Sequence, residues 1–381
     1  MAKLRIGLVL DTSLDPSDGV QQYVLAIGGW LTEQGHEVHY MVGQTDKRKL
    51  PNLHSLAKNV SVKFNGNRTT IPLPTSRNKL RNFLKTHKFD VLHVQVPHSP
   101  FMAQRLILAA DKNTAVIGTF HILPYGQLPR IANYGLGIWL RPSLKRFDKM
   151  LAVSSAAAVF AQKSFKVKAS VLPNVVNYER FYGAKPAKQY QDGKLNIVFL
   201  GRLVKRKGCL SLLRSVKQLM ESNDNLPAFR VIICGDGHLR ASLESYVKKN
   251  ELTEIVDFVG FVNEQDKPSY YASADIAVFP SYGGESFGIV LLEAMASSRG
   301  AVLAGNNPGY RSVMEPQPGL LFNPNDSHEL TDRLAQYLKD ERLRKNMAKW
   351  GTKYAEQFDT SVVGTKLLAV YDEALRKRRG L

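Results

Sequence analysis

Residues 276–296 read IAVFPSYGGESFGIVLLEAMA, and three kinds of segment follow one another within them. Ile276–Pro280 is a short apolar run of strand type. Gly283 and Gly284 then let the backbone approach a ligand with no Cβ in the way. A helical run opens near Gly288, where backbone N–H groups can cradle a phosphate. Glu293 stands five residues beyond Gly288, about a turn and a half along a helix, so it can face the same ligand as Glu285. The residue pattern leaves a second reading open. Glu285 can be a helix-start carboxylate favoured by the dipole, with Glu293 the buried partner of an arginine.

The strand–loop–helix rhythm extends in both directions. Behind it lie LNIVFL (195–200), RVIIC (230–234) and VDFVGF (256–261), and ahead lies Ala301–Ala304, all short apolar runs separated by helical segments. The amino-terminal half repeats the pattern with LRIGLVL (4–10), Glu37–Val42, FDVLHVQV (89–96), AVIGTF (115–120) and MLAVS (150–154). Val20–Gln34 and Thr360–Leu375 have helical spacing. Alternation at this spacing implies βαβ units and parallel sheets covered on both faces. The aperiodic, turn-rich stretch 174–192 is expected to be a single linker. The expected fold is α/β, with two Rossmann-like doubly wound domains facing a central cleft. Their expected spans are 1–178 and 179–358, with a C-terminal helix, 359–381, packing back on the first.

A length of 381 residues suits two domains. With 44% hydrophobic and 22% charged residues, wholesale disorder is excluded. The charge is unusual: 52 Lys+Arg against 33 Asp+Glu leaves +19. Residues 1–180 hold 24 basic and 10 acidic side chains, and 181–381 hold 28 and 23, so the excess splits as +14 and +5. From Lys47 to Phe89 there are 11 basic residues and no carboxylate. Such a block faces nucleic acid, an acidic membrane or phosphorylated ligands. The near-neutral second half and the lack of a nucleic-acid module argue against nucleic acid. Cys209 and Cys234 suit buried thiols in a reducing compartment. No signal peptide or spanning segment is read, and the expectation is a cytosolic protein or one attached to a membrane face.

Glu285 and Glu293, with seven residues between them in GGESFGIVLLEAMA, resemble the paired-glutamate signature of the retaining GT-B glycosyltransferases of family 4. Within that family the chain is most similar to the phosphatidyl-myo-inositol mannosyltransferases, over nearly its whole length. The resemblance implies that Glu285, Gly284, Ser286, Phe287, Gly288 and Ile289 contact the sugar and phosphates of a nucleotide-sugar donor, and Glu293 its ribose. Gly201-Arg202 through Lys207-Gly208 matches the family's G-R…K-G element, where Arg202 and Lys207 grip the diphosphate. Two cations on a post-strand loop also suit a leaving group that gains charge. Gly19-Val20-Gln21 matches the family's G-G-V-Q loop, with Asp18 in place of the first glycine, so Gly19 is the donor-phosphate candidate. Thr119-Phe120-His121 matches the T-F-H element whose histidine, here His121, contacts the donor sugar. His93 and His98 are lesser candidates. Gln21, Asn65 and Arg68 match acceptor-contacting positions. The 121–125 segment, HILPY, departs from relatives that carry small polar residues and then a lysine. No metal site and no resident cofactor are expected.

Residues 77–88, RNKLRNFLKTHK, read as a helix with Arg77, Arg81, Lys85 and Lys88 on one face and Leu80, Phe83, Leu84 and His87 on another. Two readings stand: a solvated helix whose apolar side faces its own sheet, or a basic amphipathic helix on an anionic membrane. In the lipid-acceptor relatives this region docks on membrane, which nominates Arg77, Lys79, Arg81 and Lys85. The favoured expectation is a retaining hexosyltransferase, moving mannose from GDP-mannose to a lipid acceptor such as phosphatidylinositol. It would be peripheral on the inner face of the plasma membrane and would not bind nucleic acid. The alternative is another nucleotide sugar with a soluble or polyprenyl-linked acceptor.

Overall fold

A computed structural model describes residues 2–15, 18–47, 49–64, 67–124, 133, 135–222, 225–297 and 299–380, without the side chains of 61–71. The chain divides into two compact units: Met1–Val175 with Thr360–Leu381, and Val176–Asp359.

The first unit contains β1 (Arg5–Leu10), β2 (Glu37–Gly43), β3 (Leu53–Ala57), β4 (Asn59–Phe64), β5 (Asn67–Pro72), β6 (Val91–Gln95), β7 (Ala115–Phe120), β8 (Lys149–Ala152) and β9 (Ser170–Val171). Seven of these form one sheet in the order β3-β2-β1-β6-β7-β8-β9, parallel throughout. Its central strands are continuous apolar runs because helices cover both faces. Alternate residues of β1 serve opposite faces. Ile6, Leu8 and Leu10 pack with Tyr23 and Ile27 of the Gly19–Glu33 helix and with Leu367 and Tyr371 of the Thr360–Arg379 helix. Val9 packs on the other side with Met41, Leu80, Leu84 and Leu106.

The second unit contains β10 (Leu195–Leu200), β11 (Phe229–Cys234), β12 (Val256–Gly260), β13 (Ile276–Phe279), β14 (Ala301–Gly305) and β15 (Leu321–Phe322). They form a parallel sheet in the order β12-β11-β10-β13-β14-β15. The strand order reverses direction beside β1 in the first unit and beside β10 in the second. Such reversals open a crevice at the carboxyl ends of the strands. The α/β, doubly wound expectation is met in both units.

The chain passes between the units twice, after Val175 and after Asp359, so that Thr360–Leu381 belongs to the first unit. The ends of the second unit meet: the Val176 amide donates to the Phe358 carbonyl at 2.9 Å. Two expectations need correction. The stretch 174–192 is no plain linker. It carries a short helix, Tyr178–Phe181, and a turn, Lys188–Tyr190, and it buries Tyr178, Phe181 and Tyr190. These anchors sit in pieces too short to show periodicity. Finally, the Arg77–His87 helix buries Leu80 and Leu84 against its own sheet, with Phe83 packed beside them. Its apolar side is therefore unavailable to a bilayer, while the cations Arg77, Lys79, Arg81, Lys85 and Lys88 are exposed.

Among the described residues no helix is long and apolar enough to cross a membrane. Cys209 and Cys234 are free and buried.

Candidate active site

In the second unit the candidate side chains gather beyond the carboxyl ends of β10 and β13, the two strands flanking the reversal. The loop after β10 carries Arg202, Arg206 and Lys207. Gly208 ends it with φ +74°, and a Cβ there would lie 1.9 Å from the Pro280 carbonyl oxygen. Only glycine lets the two loops pack this closely. Glu285 on the β13 loop receives the result. Its Oε1 lies 2.7 Å from Arg206 Nη1 and 2.9 Å from Lys207 Nζ. Ser281 Oγ stands 2.9 Å from the same oxygen and 3.0 Å from the Arg206 carbonyl, so its single proton serves one at a time.

Burial works to raise the Glu285 pKa, but the charges of Lys207 and Arg206 override it, and the net shift is downward. The carboxylate is therefore ionised at neutral pH. Lys207 is pushed down, chiefly by burial and against the attraction of Glu285. Arg202 is exposed on the same loop. One carboxylate faces an excess of cations, and that surplus positive charge suits a diphosphate leaving group.

Glu293 belongs to a separate set of partners. It is 3% exposed, with Lys267 Nζ 3.5 Å from Oε1 and Tyr271 Oη 3.3 Å from Oε2. Lys267 also pairs with Glu264 at 2.7 Å. The buried-partner reading of Glu293 thus holds in kind, with a lysine in place of an arginine. Between the glutamates, Gly284 (φ +72°) and Gly288 (φ +131°) hold backbone that L side chains rarely adopt. Ser286 and Ile289 are half-buried. Phe287 is buried with its ring 5.9 Å from that of Phe358, so its backbone rather than its side chain is available to a ligand.

In the first unit the corresponding strand ends are those of β1, β6 and β7. His121 follows β7, is 4% exposed and lies with Nε2 2.7 Å from Gln95 Oε1. Its ring meets Tyr23 at 4.7 Å between centroids, and burial lowers its pKa to about 3. It is therefore a neutral imidazole that donates through Nε2, which leaves Nδ1 as the lone-pair nitrogen. Gly19 is exposed at the start of its helix. Gln21 is buried, with Nε2 bound to the Ser13 carbonyl at 3.1 Å and, among the described residues, no hydrogen-bond partner at Oε1. His93 is structural: it bridges Tyr371 Oη and Thr119 Oγ1, each at 2.7 Å. His98 stacks on Phe120, 5.3 Å between centroids. Asn65 lies outside the described residues. Arg68 sits on β5 opposite Lys63 in an antiparallel hairpin with β4, its side chain not described.

Sequence reading missed Arg206, Ser281, Gln95 and Asp11. Arg206 was hidden inside a basic run, Lys205-Arg206-Lys207, in which the fold turns Lys205 outward. Asp11 is buried and accepts from the Ala103 amide at 2.7 Å, and burial raises its pKa to about 6. Val96, just past β6, has φ +58°, a strained value for a β-branched residue.

The chain matches two family models, Glycosyltransferase Family 4 over residues 17–180 and Glycosyl transferases group 1 over residues 184–354. It is 30% identical over 373 residues to the phosphatidyl-myo-inositol mannosyltransferase of Mycolicibacterium smegmatis, covering 97% of this chain and 94% of that protein. Among solved structures it resembles a glycosyltransferase from Rickettsia africae, with TM-score 0.73, 17% identity and coverage of 99% and 100%. Anabaena Alr3699/HepE in complex with UDP gives TM-score 0.72, 17% identity and coverage of 97% and 100%. Two parallel doubly wound sheets and a Glu285 carboxylate held by a cationic loop are thus accompanied by full-length likeness, and this chain belongs to glycosyltransferase family 4, as a glycosyltransferase of GT-B fold.

Proposed function

We propose that the protein transfers mannose from GDP-mannose, with retention of configuration, to phosphatidylinositol or a similar lipid. The observation that carries this reading is full-length likeness to a phosphatidyl-myo-inositol mannosyltransferase in a chain whose Glu285, Arg206 and Lys207 form a single cluster. The sugar C1–oxygen bond to the diphosphate breaks, and a bond from the acceptor oxygen to C1 forms on the same face. The acceptor proton passes to the leaving phosphate oxygen. Charge developing on that phosphate is met by Arg202, Arg206 and Lys207. Without donor, Glu285 holds two of these cations in place. With donor, its ionised carboxylate is an acceptor for sugar hydroxyls. His121 offers the neutral Nδ1 to the sugar, Glu293 contacts the ribose, and Gly19 and the 284–289 backbone approach the phosphates. Gln21, Asn65 and Arg68 serve the acceptor head group.

The enzyme works as a peripheral protein on the cytoplasmic, anionic face of the plasma membrane. Arg77, Lys79, Arg81 and Lys85 hold it there by charge, at about 1 kcal/mol for each cation near the surface. A second reading, another nucleotide sugar and a soluble or polyprenyl-linked acceptor, is favoured by Ile122-Leu123-Pro124, where lipid-acceptor relatives carry small polar residues. Thermal shift with GDP and UDP, followed by mass spectrometry of lipid incubated with GDP-mannose, separates the two. Stabilisation by GDP and a mannosylated phosphatidylinositol are expected. Stabilisation by UDP alone, or an unmodified lipid, contradicts the proposal.

A further inference from the structure

Outside the transfer site, three histidines converge beneath the basic helix. His39 lies on β2, His54 on β3, and His87 is the last residue of the Arg77–His87 helix. One ring nitrogen from each lies within 4.8 Å of the others. His39 is buried and the other two are half-buried. The sequence hides this group, because 14 and 32 residues separate successive members and no metal-binding spacing results. Neighbouring strands and the helix end bring them together.

The contacts around the rings set their tautomers. His39 Nε2 lies 2.9 Å from Glu37 Oε1, a carboxylate that Arg5 also holds at 2.9 Å. A carboxylate accepts only, so His39 carries its proton on Nε2 and turns the Nδ1 lone pair toward His54 Nε2, 2.9 Å away. His87 Nδ1 lies 2.9 Å from the Phe83 carbonyl, which likewise only accepts, and this leaves Nε2 as the lone-pair nitrogen of His87. Two of the three rings are thus locked by their outer partners in the form that binds a metal. A carboxylate or backbone carbonyl behind a ligating histidine is the usual arrangement in metal sites. His54 Nε2 then donates to His39 Nδ1, so ligation through Nε2 requires His54 to take its other neutral tautomer, with the Nε2 proton lost to solvent and one regained at Nδ1.

We propose that His39, His54 and His87 form a binding site for one late first-row divalent cation of the zinc type, with water completing the coordination. Imidazole nitrogens suit such ions, at about 2.0–2.1 Å from zinc. Tetrahedral ligands at that distance stand ~3.3 Å apart. The rings therefore need to close by at most about 1.5 Å from the observed spread, a small side-chain adjustment. Bound there, the ion clips the Arg77–His87 helix to the β2–β3 edge of the sheet. A metal with no transfer chemistry would thereby fix the platform that carries Arg77, Lys79, Arg81 and Lys85.

The test uses untagged, full-length, chelator-treated protein, with equilibrium dialysis against zinc chloride and, separately, cobalt(II) titration followed by visible absorption. One equivalent of zinc and an intense ligand-field band typical of four-coordinate cobalt are expected. His54→Ala and His87→Ala should each weaken zinc binding about tenfold or more, while circular dichroism verifies that the variants are folded. The cobalt spectrum is read on the unmutated chain, so a variant that fails to fold does not spare the proposal. Binding below one equivalent, an octahedral-type weak spectrum, or affinity unchanged in both folded variants overturns it; zinc would then sit elsewhere, and the rings would be an aromatic stack only.

Discussion

Glu285 carries the electrostatics of the second unit, because a single oxygen accepts from Arg206 and Lys207 and lies within reach of Ser281. Glu285→Gln keeps the shape and removes the charge, leaving two cations facing a neutral amide. Steady-state kinetics should give a fall of ~10²-fold or more in kcat/KM, the scale expected when one group that meets transition-state charge is lost. Lys207→Ala should cost a similar factor, and Arg206→Ala should reveal that the residue missed in the sequence belongs to the same machinery. Linkage gives a second readout. The folded carboxyl titrates below its ordinary value of 4.5, so its contribution to stability is complete above about pH 5 and is lost as pH falls through the folded pKa. The melting-temperature gap between wild type and Glu285→Gln should therefore be widest near pH 7 and shrink toward pH 3. A gap that widens on acidification would show that the cations do not hold the carboxylate ionised.

At the scale of elements, the Thr360–Arg379 helix is part of the first unit's core rather than an appendage. Tyr371 donates to or accepts from the buried His93 at 2.7 Å. Tyr371→Phe strands that ring nitrogen and should lower unfolding stability by about 1–3 kcal/mol in urea titration. Gly364 meets Trp30 so closely that an added Cβ would stand 2.4 Å from the indole. Gly364→Val should force the helix away, and a larger loss than Tyr371→Phe is expected. The helix and the central sheet strands were legible in the sequence because buried parallel strands and an amphipathic helix have strong periods, whereas the edge strand β3 was not read. AVIGTF and LNIVFL coincide with β7 and β10 residue for residue. The hairpin of β4 and β5 was not read, although Asn65-Gly66 between VSVKF and NRTTI is a strong hairpin signal. The two-residue strands β9 and β15 carry no period at all. At the site, Glu285 was legible from spacing, whereas its contact with Arg206 depends on how two loops pack.

Across the whole molecule, the +19 charge is divided unequally between chemistry and surface. Arg202, Arg206 and Lys207 account for the charge beside Glu285. The helix cations Arg77, Lys79, Arg81 and Lys85 are exposed, and among the described residues none of the four is in an ion pair with a carboxylate. With the apolar side of that helix buried, the proposed membrane attachment through it would be electrostatic and would weaken with salt. Flotation with vesicles containing anionic lipid should fall sharply when all four cations are changed to glutamate, and also for the wild type in high salt. Retention of binding under both conditions would assign docking to another surface. Glu285 and its cations are the proposed site of sugar transfer. The most direct measurement is the single-turnover rate of mannosyl-lipid formation from GDP-mannose, compared between wild type and folded Glu285→Gln at saturating donor. A product of retained configuration and a rate at least about 10²-fold lower in the variant are predicted; equal rates in the two proteins would contradict the account.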